Sequence, residues 1–153
     1  MPAITIDVDS QAVTNALTLL AQFPSHLRPA MDAVGAHMVA STHLNFRGQH
    51  SPDGQAWAPL SEATLANRRG GEGQILRDTG RLNRSITHNV LPDGVEIGSD
   101  VVYANMMQFG GKKTDFPWLW GDIPGRSYLG FSAGDEADVT AIIGNFWQRA
   151  AGL

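Results

Sequence analysis

Apolar residues recur at the spacing of an α-helix in three segments, and this periodicity constrains the fold more than any other feature of the sequence. The first segment follows a capping residue at Asp9 or Ser10 and covers residues 11–22. The second covers residues 25–46, and the third covers residues 133–150. A helix with this apolar spacing buries one side against a core. Three amphipathic helices are therefore predicted, with Pro24 after the end of the first and Pro29 near the start of the second.

Two shorter helices are also expected. Ser61 caps one that runs through Arg69 and packs Leu65 against the body. Ser99 or Asp100 caps the other, which runs through Phe109 and exits through Gly110 and Gly111.

Alternation of apolar and polar residues, which is typical of strands, occurs at two places. Residues 4–8 alternate over one short stretch, which predicts a first strand. Residues 86–90 and 95–97 also alternate, and the Pro-Asp-Gly sequence at 92–94 lies between them. This arrangement predicts a β-hairpin. A further short strand is expected at residues 128–131.

The chain has 153 residues, which is enough to bury one substantial core. We therefore predict a single domain over residues 1–153. Its class is α+β, with helices packed on a small, mostly antiparallel sheet and long loops projecting from it. The sequence contains no cysteine, so folding depends on packing without disulfides or thiolate metal sites.

The beginning of the chain lacks the basic start and apolar run of a signal peptide. No stretch approaches the roughly 18 apolar residues of a membrane-spanning helix. We therefore expect a soluble protein that stays in the cytoplasm of the producing cell until it acts, with no membrane partner.

The charge of the chain argues against specific binding to duplex DNA. The net charge is -4 and the pI is about 5.6, whereas DNA binding depends on clustered basic residues that neutralise phosphates. One stretch is locally basic, and it contains Arg68, Arg69, Arg77, Arg81 and Arg84. A nucleic-acid-binding module remains an alternative, and it requires these arginines to share one exposed face.

No catalytic motif occurs in the sequence with the residue spacing that its chemistry requires. Residues 110–114 lack the glycine and lysine register of a phosphate-binding loop, and the glycines at 70–73 lack the strand and helix of a dinucleotide site. The five histidines never lie three or four residues apart, so no helical metal pair is supported. We predict no catalytic, cofactor-binding or metal-binding residue and no enzyme activity. The alternative of a small hydrolase would need a buried carboxylate or histidine cluster in the 47–59 loop.

The strongest candidate for a binding surface is the loop at residues 112–122. It contains Phe116, Trp118, Leu119 and Trp120, and it has no periodicity that would bury them within their own element. Large apolar side chains are costly to expose, and aromatic residues dominate protein interfaces. We expect these four residues to contact another subunit or partner.

Four blocks of sequence occur in an order that resembles the phage virion morphogenesis family, often called tail-completion proteins. The blocks are SPDGQAWAPLSEAT at 51–64, ILRDTGRLNRSI at 75–86, VEIGSDVVYANMMQFGG at 95–111 and IPGRSYLGFS at 123–132. The resemblance covers about residues 40–132. It departs from the family pattern at Met107, where a histidine is expected, and at two positions of the last block.

The resemblance implies a structural phage protein that completes the tail or assembles the head-to-tail neck. Such a protein would act by ordered protein–protein binding in a homo-oligomeric ring, without bond chemistry or a cofactor. Its partners would be other virion proteins of the tail tube, neck or connector. Its location would be the virion, after assembly in the cytoplasm of the bacterial host.

Several residues of the matching blocks are expected to anchor the scaffold. Trp57 and Leu60 can fill an apolar hollow from a polar loop, and Arg126 can hold the approach to the last block. The full set of predicted scaffold anchors is Trp57, Leu60, Tyr103, Phe109, Arg126 and Leu129.

Overall fold

The computed structural model describes residues 9–70 and 73–153, so the strand predicted at residues 4–8 lies outside the described residues. The described residues form six helices and one two-stranded antiparallel sheet. The helices are α1 (Gln11–Leu20), α2 (Pro24–Gly48), α3 (Glu62–Ala66), α4 (Arg81–Arg84), α5 (Ala104–Phe109) and α6 (Ala133–Ala151). The strands are β1 (Thr87–Leu91) and β2 (Gly94–Gly98). The predicted α+β class is confirmed.

The described residues group into two compact units. The hairpin unit contains the described part of Asp7–Ser41 together with Thr87–Ile97 and Phe131–Leu153. The loop-rich unit contains the described part of Thr42–Ile86 together with Gly98–Gly130. Helix α2 contributes residues to both units.

The core of the hairpin unit forms from the apolar sides of the three helices that the sequence predicted. Its buried members are Leu20, Ala30, Met31, Val34, Met38, Val139 and Ile143. Helix α1 packs along α6, and Val90, Val95 and Ile97 of the β1–β2 hairpin pack against the same core. The hairpin is therefore present where its turn sequence predicts it, with one face buried.

Helix α2 begins earlier than its sequence suggested. Pro24, which we expected to end the first helix, is the first residue of α2. A proline fits this position because the N–H that it lacks would have no partner within the helix. Pro29 lies inside the helix, although we expected it near the start.

The first turn of α6 is fixed by a buried carboxylate. Ser132 caps the helix, and the side chains of Ser132 and Asp135 form a reciprocal capping box. The Asp135 carboxylate also accepts hydrogen bonds from the Ser41 hydroxyl at 2.9 Å and, with the ring in a suitable tautomer, from His37 Nε2 at 3.0 Å. Burial opposes ionisation of Asp135, but the hydrogen bonds from Ser132, Ser41 and His37 outweigh it and lower the pKa of Asp135.

The loop-rich unit is organised around two buried side-chain amides. Gln108 Oε1 accepts hydrogen bonds from the backbone N–H groups of Tyr128 and Leu129, both at 3.0 Å. Gln108 Nε2 donates to the Leu129 carbonyl at 3.0 Å, and Asn45 Nδ2 donates to the Tyr128 carbonyl at 3.0 Å. The strand predicted at residues 128–131 is therefore wrong. Side-chain amides take the place of a neighbouring strand as the hydrogen-bonding partners of this segment.

Three aromatic rings fill the space beside these amides. Phe46 lies between Trp57, with ring centroids 5.7 Å apart in an edge-to-face arrangement, and Tyr128, at 5.2 Å. The polar atoms of the two outer rings have partners, because Trp57 Nε1 donates to the Ser127 carbonyl and the Tyr128 hydroxyl donates to the Ala104 carbonyl. Burial raises the pKa of Tyr128, so the hydroxyl stays protonated as this donor requires.

Two short helices differ in extent from their predictions. Helix α5 begins at Ala104, whereas we expected a cap at Ser99 or Asp100. The Ser99 hydroxyl instead accepts from the backbone N–H of Val101 at 3.1 Å, which forms a turn before the helix. Helix α3 is capped by Ser61 as predicted but ends at Ala66, and Leu65 is exposed where we expected it to be packed.

Replacing Gln108 with leucine should lower the free energy of unfolding by about 3 kcal/mol or more. Three buried backbone groups of Tyr128 and Leu129 would lose their partner, and each unpaired buried group costs about 1–3 kcal/mol. Chemical denaturation measures the change. As a control, Gln148→Leu alters an exposed position of α6 and should change stability by no more than about 0.5 kcal/mol. Equal stability of the two variants would contradict the role assigned to Gln108.

Replacing Asp135 with asparagine should lower stability at pH 7 by about 1–2 kcal/mol, the range for losing a helix cap. Because the folded pKa of Asp135 is lowered from 3.8, the stabilising contribution is present above that pH and is lost as the pH falls through the folded pKa. The difference between wild type and variant should therefore shrink below about pH 4 in thermal melts. A pH-independent difference, or an equal loss in the exposed-site variant Glu136→Gln, would argue against this role for the carboxylate.

Candidate functional site

The two ends of the loop at residues 112–122, here called the aromatic loop, are joined by backbone hydrogen bonds. The Gly111 N–H donates to the Ile123 carbonyl at 2.9 Å, and the Ile123 N–H donates to the Gly111 carbonyl at 2.8 Å. Inside this pair, the Lys113 N–H donates to Asp122 Oδ1 at 2.8 Å. The loop is therefore closed at its base, independently of the side chains at its tip.

Glycines at the base allow two backbone segments to touch. Gly110 has a φ of 72°, and a Cβ at this position would lie 2.5 Å from the Gly125 nitrogen and the Ile123 carbonyl oxygen. A Cβ at Gly125 would lie 2.9 Å from the Phe109 carbonyl group. Any larger residue at either position would force the segments apart. The glycine exit from α5 that the sequence predicts is thus part of the base of the aromatic loop.

The aromatic loop exposes both of its indole rings. Trp118 is 74% exposed and Trp120 is fully exposed. Phe116 and Leu119 are half-buried, and the Phe116 ring contacts Trp118 edge-to-face with centroids 5.4 Å apart. Of the four residues predicted to bind a partner, the two half-buried ones therefore shape the loop and the two tryptophans face solvent.

The predicted scaffold anchors fall into two groups by exposure. Trp57, Arg126 and Leu129 are buried, and Leu60 is half-buried. Tyr103 and Phe109 are exposed, Phe109 to 62%. Packing within the loop-rich unit accounts for the first group, but it does not account for an exposed aromatic side chain such as Phe109.

Arg126 joins the segment after the aromatic loop to the loop that carries Trp57. Its Nε donates to the Ala58 carbonyl at 2.8 Å, and a terminal nitrogen donates to the Pro59 carbonyl at 3.0 Å. Desolvation lowers the pKa of Arg126, although from so high a value that the guanidinium remains charged. Its backbone N–H also donates to the Met107 carbonyl at 2.9 Å.

A groove of about 580 Å³ opens on the surface of the loop-rich unit. Apolar side chains that include Leu60, Leu76, Leu82 and Ile123 line part of it. Two carboxylates, Asp78 and Asp122, and several neutral polar residues also line it. Its basic residues are Arg126 and four arginines of the predicted basic stretch: Arg68, Arg69, Arg77 and Arg81. The sequence singled out these arginines but gave no indication that they would surround an apolar groove.

Three of the five arginines from that stretch are engaged locally. Arg68 Nε donates to the Gly70 carbonyl at 3.2 Å. Arg69 binds Asp78 through its backbone N–H at 2.8 Å and through two side-chain nitrogens at 3.0 and 2.8 Å, and these contacts lower the pKa of Asp78. Arg84 donates to the Thr79 carbonyl at 3.1 Å and does not line the groove. The nucleic-acid alternative required one shared face for all five arginines, and four of the five line this groove.

Several histidine, serine and carboxylate groups of the described residues make structural contacts. Within residues 47–59, the His50 ring contacts the Ser51 carbonyl at 2.8 Å, and Asp53 accepts from the Gln55 N–H as part of a turn. In the hairpin unit, Ser41 and His37 both contact Asp135, and the serine hydroxyl is directed to the carboxylate.

Comparison with known proteins identifies one family. Residues 8–147 match the model of the phage virion morphogenesis family. The chain is 31% identical over 146 residues to the Mu-like prophage FluMu G protein 2 of Haemophilus influenzae, covering 95% of this chain and 96% of the relative. It is 34% identical over 110 residues to the putative capsid assembly protein G of Escherichia phage Mu, covering 69% of this chain and 70% of the relative.

No solved structure shows significant similarity to the chain. None of the helices in the described residues is both long enough and apolar enough to cross a membrane.

Proposed function

The chain belongs to the phage virion morphogenesis family, and we propose that it is a structural protein that completes the tail or joins head to tail. In this role it binds other copies of itself in a ring and binds neighbouring virion proteins of the tail tube, neck or connector. The relative from phage Mu carries a name that refers to capsid assembly, which supports an assembly role. The action is ordered binding, without catalysis.

The observation that carries this proposal is the exposure of Trp118 and Trp120 on a loop with a fixed base. Burying a large aromatic side chain contributes about 1.5–3 kcal/mol, and tryptophan is among the residues that most often dominate interface energies. A loop whose ends are already hydrogen-bonded loses less conformational freedom on binding than a free segment would. The aromatic loop is therefore suited to bury its indoles against a partner.

Other exposed apolar residues of the loop-rich unit support the same reading. Val102, which precedes α5, is 86% exposed, and Phe109, the last residue of α5, is 62% exposed. Helix α5 leads into the aromatic loop. Exposed apolar groups scattered singly are normal, whereas several in one short stretch indicate an interaction site. The stretch from Val102 to Trp120 therefore supplies candidate contacts between virion proteins.

Changing Trp118 and Trp120 together to serine should leave the fold intact and block assembly. Both side chains are exposed, so the melting temperature measured by circular dichroism should stay within a few degrees of wild type. The assembled mass, measured by native mass spectrometry with and without tail tubes, should fall to that of the monomer. The attachment of the variant to tails should be lost in parallel.

A matched control changes two exposed leucines outside the aromatic loop, Leu19 and Leu44, to serine. This control variant should assemble as the wild type does. Assembly of the Trp118 and Trp120 double variant would contradict the proposal, as would a wild-type chain that stays monomeric with tail tubes present. A lower melting temperature of the double variant would instead show that the indoles stabilise the folded chain.

A further inference from the structure

Acidic and basic residues are distributed unequally between the two units. Every lysine and arginine except Arg28 and Arg149 belongs to the loop-rich unit. The hairpin unit holds only those two basic residues against a larger number of acidic ones, so the net charge of -4 originates there. One copy of the chain thus offers both members of a complementary pair of surfaces.

The groove on the loop-rich unit, here called the arginine-lined groove, contains guanidinium groups that are not paired with a carboxylate. Arg69 is neutralised by Asp78, but Arg77 and Arg81 take part in no ion pair among residues 9–70 and 73–153. Arg68 has a terminal nitrogen that is buried without a hydrogen-bond partner in the same part of the chain. An unpaired buried donor is costly, and a carboxylate oxygen is the acceptor that best matches a guanidinium.

The β1–β2 hairpin carries acidic side chains, whereas the groove carries basic ones. Asp93 in the turn and Glu96 on β2 are exposed, and neither belongs to an ion pair within the described residues. The other face of the hairpin, with Val95 and Ile97, is packed in the core. The hairpin therefore carries two free carboxylates, one in its turn and one on β2.

We infer that the arginine-lined groove receives the hairpin turn of a second copy of this chain, with Asp93 and Glu96 of that copy facing Arg77 and Arg81. The groove volume of about 580 Å³ lies within the ~300–1,000 Å³ range of clefts that enclose compact ligands, so a turn of a few residues can enter. The two surfaces differ, which makes the contact head-to-tail. Repeated contacts of this kind build a ring when the rotation closes.

This inference rests on the proposed function, since it identifies one contact between copies in the ring. It differs from the role given to the aromatic loop, which can bury its indoles against any virion partner. A nucleic acid is the less suitable occupant, because apolar side chains such as Leu60, Leu76 and Leu82 line part of the groove and the chain carries a net charge of -4.

Reciprocal charge reversal tests the contact. Arg77→Glu combined with Arg81→Glu should abolish ring formation, measured as assembled mass by native mass spectrometry. Asp93→Arg combined with Glu96→Arg should have the same effect. A chain carrying all four changes has complementary surfaces again and should recover the assembled mass.

The control variant carries Arg28→Glu and Arg47→Glu, at two exposed positions outside the groove. Its net charge changes as much as that of the Arg77 and Arg81 variant, and it should assemble normally. The exposed-site variant Arg81→Glu alone, checked by circular dichroism, shows whether loss of assembly occurs in a folded chain. If the groove variant fails to assemble while the Asp93 and Glu96 variant assembles normally, the acidic partner is another virion protein and this inference is wrong. Normal assembly of the groove variant also overturns it, whereas failure of the wild type to assemble overturns the proposed function itself.

Discussion

The loop-rich unit depends on the hydrogen bonds that one buried amide, Gln108, makes with the backbone of Tyr128 and Leu129. Buried backbone groups require partners, and no strand among residues 9–70 and 73–153 pairs with this segment to supply them. The amide of Gln108 therefore joins α5 to the segment that follows the aromatic loop. Since these two elements are also the two ends of that loop, the same contact fixes the base from which the tryptophans project.

Other contacts at this junction have the same consequence. The close approach of Gly110 to Gly125, the bridge between Gly111 and Ile123, and the hydrogen bonds of Arg126 all hold the two segments together. Ile123, Pro124 and Arg126 also line the groove, so part of its wall belongs to the segment that Gln108 holds. A protein that acts by binding benefits from such preorganisation, because less conformational freedom is lost when the partner arrives.

The sequence predicted the parts of this fold that are governed by local periodicity. The sides of α1, α2 and α6 that carry apolar residues are the buried sides, and the turn at 92–94 marks the hairpin. The strand at 128–131 was wrong because its apolar residues are buried without pairing to a strand. Nothing in the spacing of Gln108 within an apolar helix indicates that its amide replaces a strand, since the partner lies about 20 residues further along the chain.

The sequence predicted which residues belong to the candidate site but not how those residues are arranged in space. The unusual content of the aromatic loop was visible in the sequence, whereas the split between exposed Trp118 and Trp120 and half-buried Phe116 and Leu119 depends on how the base of the loop closes. The arginines were likewise visible as a basic stretch. Their arrangement around an apolar groove depends on contacts between distant segments, such as the hydrogen bond from Ile75 to Gln49.

The central claim is that the indoles of the aromatic loop are free in the isolated chain and become buried during assembly. Hydroxyl-radical footprinting of the free protein and of purified phage particles tests it most directly, because tryptophan oxidation reports side-chain exposure residue by residue. We expect Trp118 and Trp120 to be oxidised in the free protein and protected in particles, while Trp57, which is 5% exposed, is protected in both. Equal oxidation of Trp118 and Trp120 in the free protein and in particles would contradict the account.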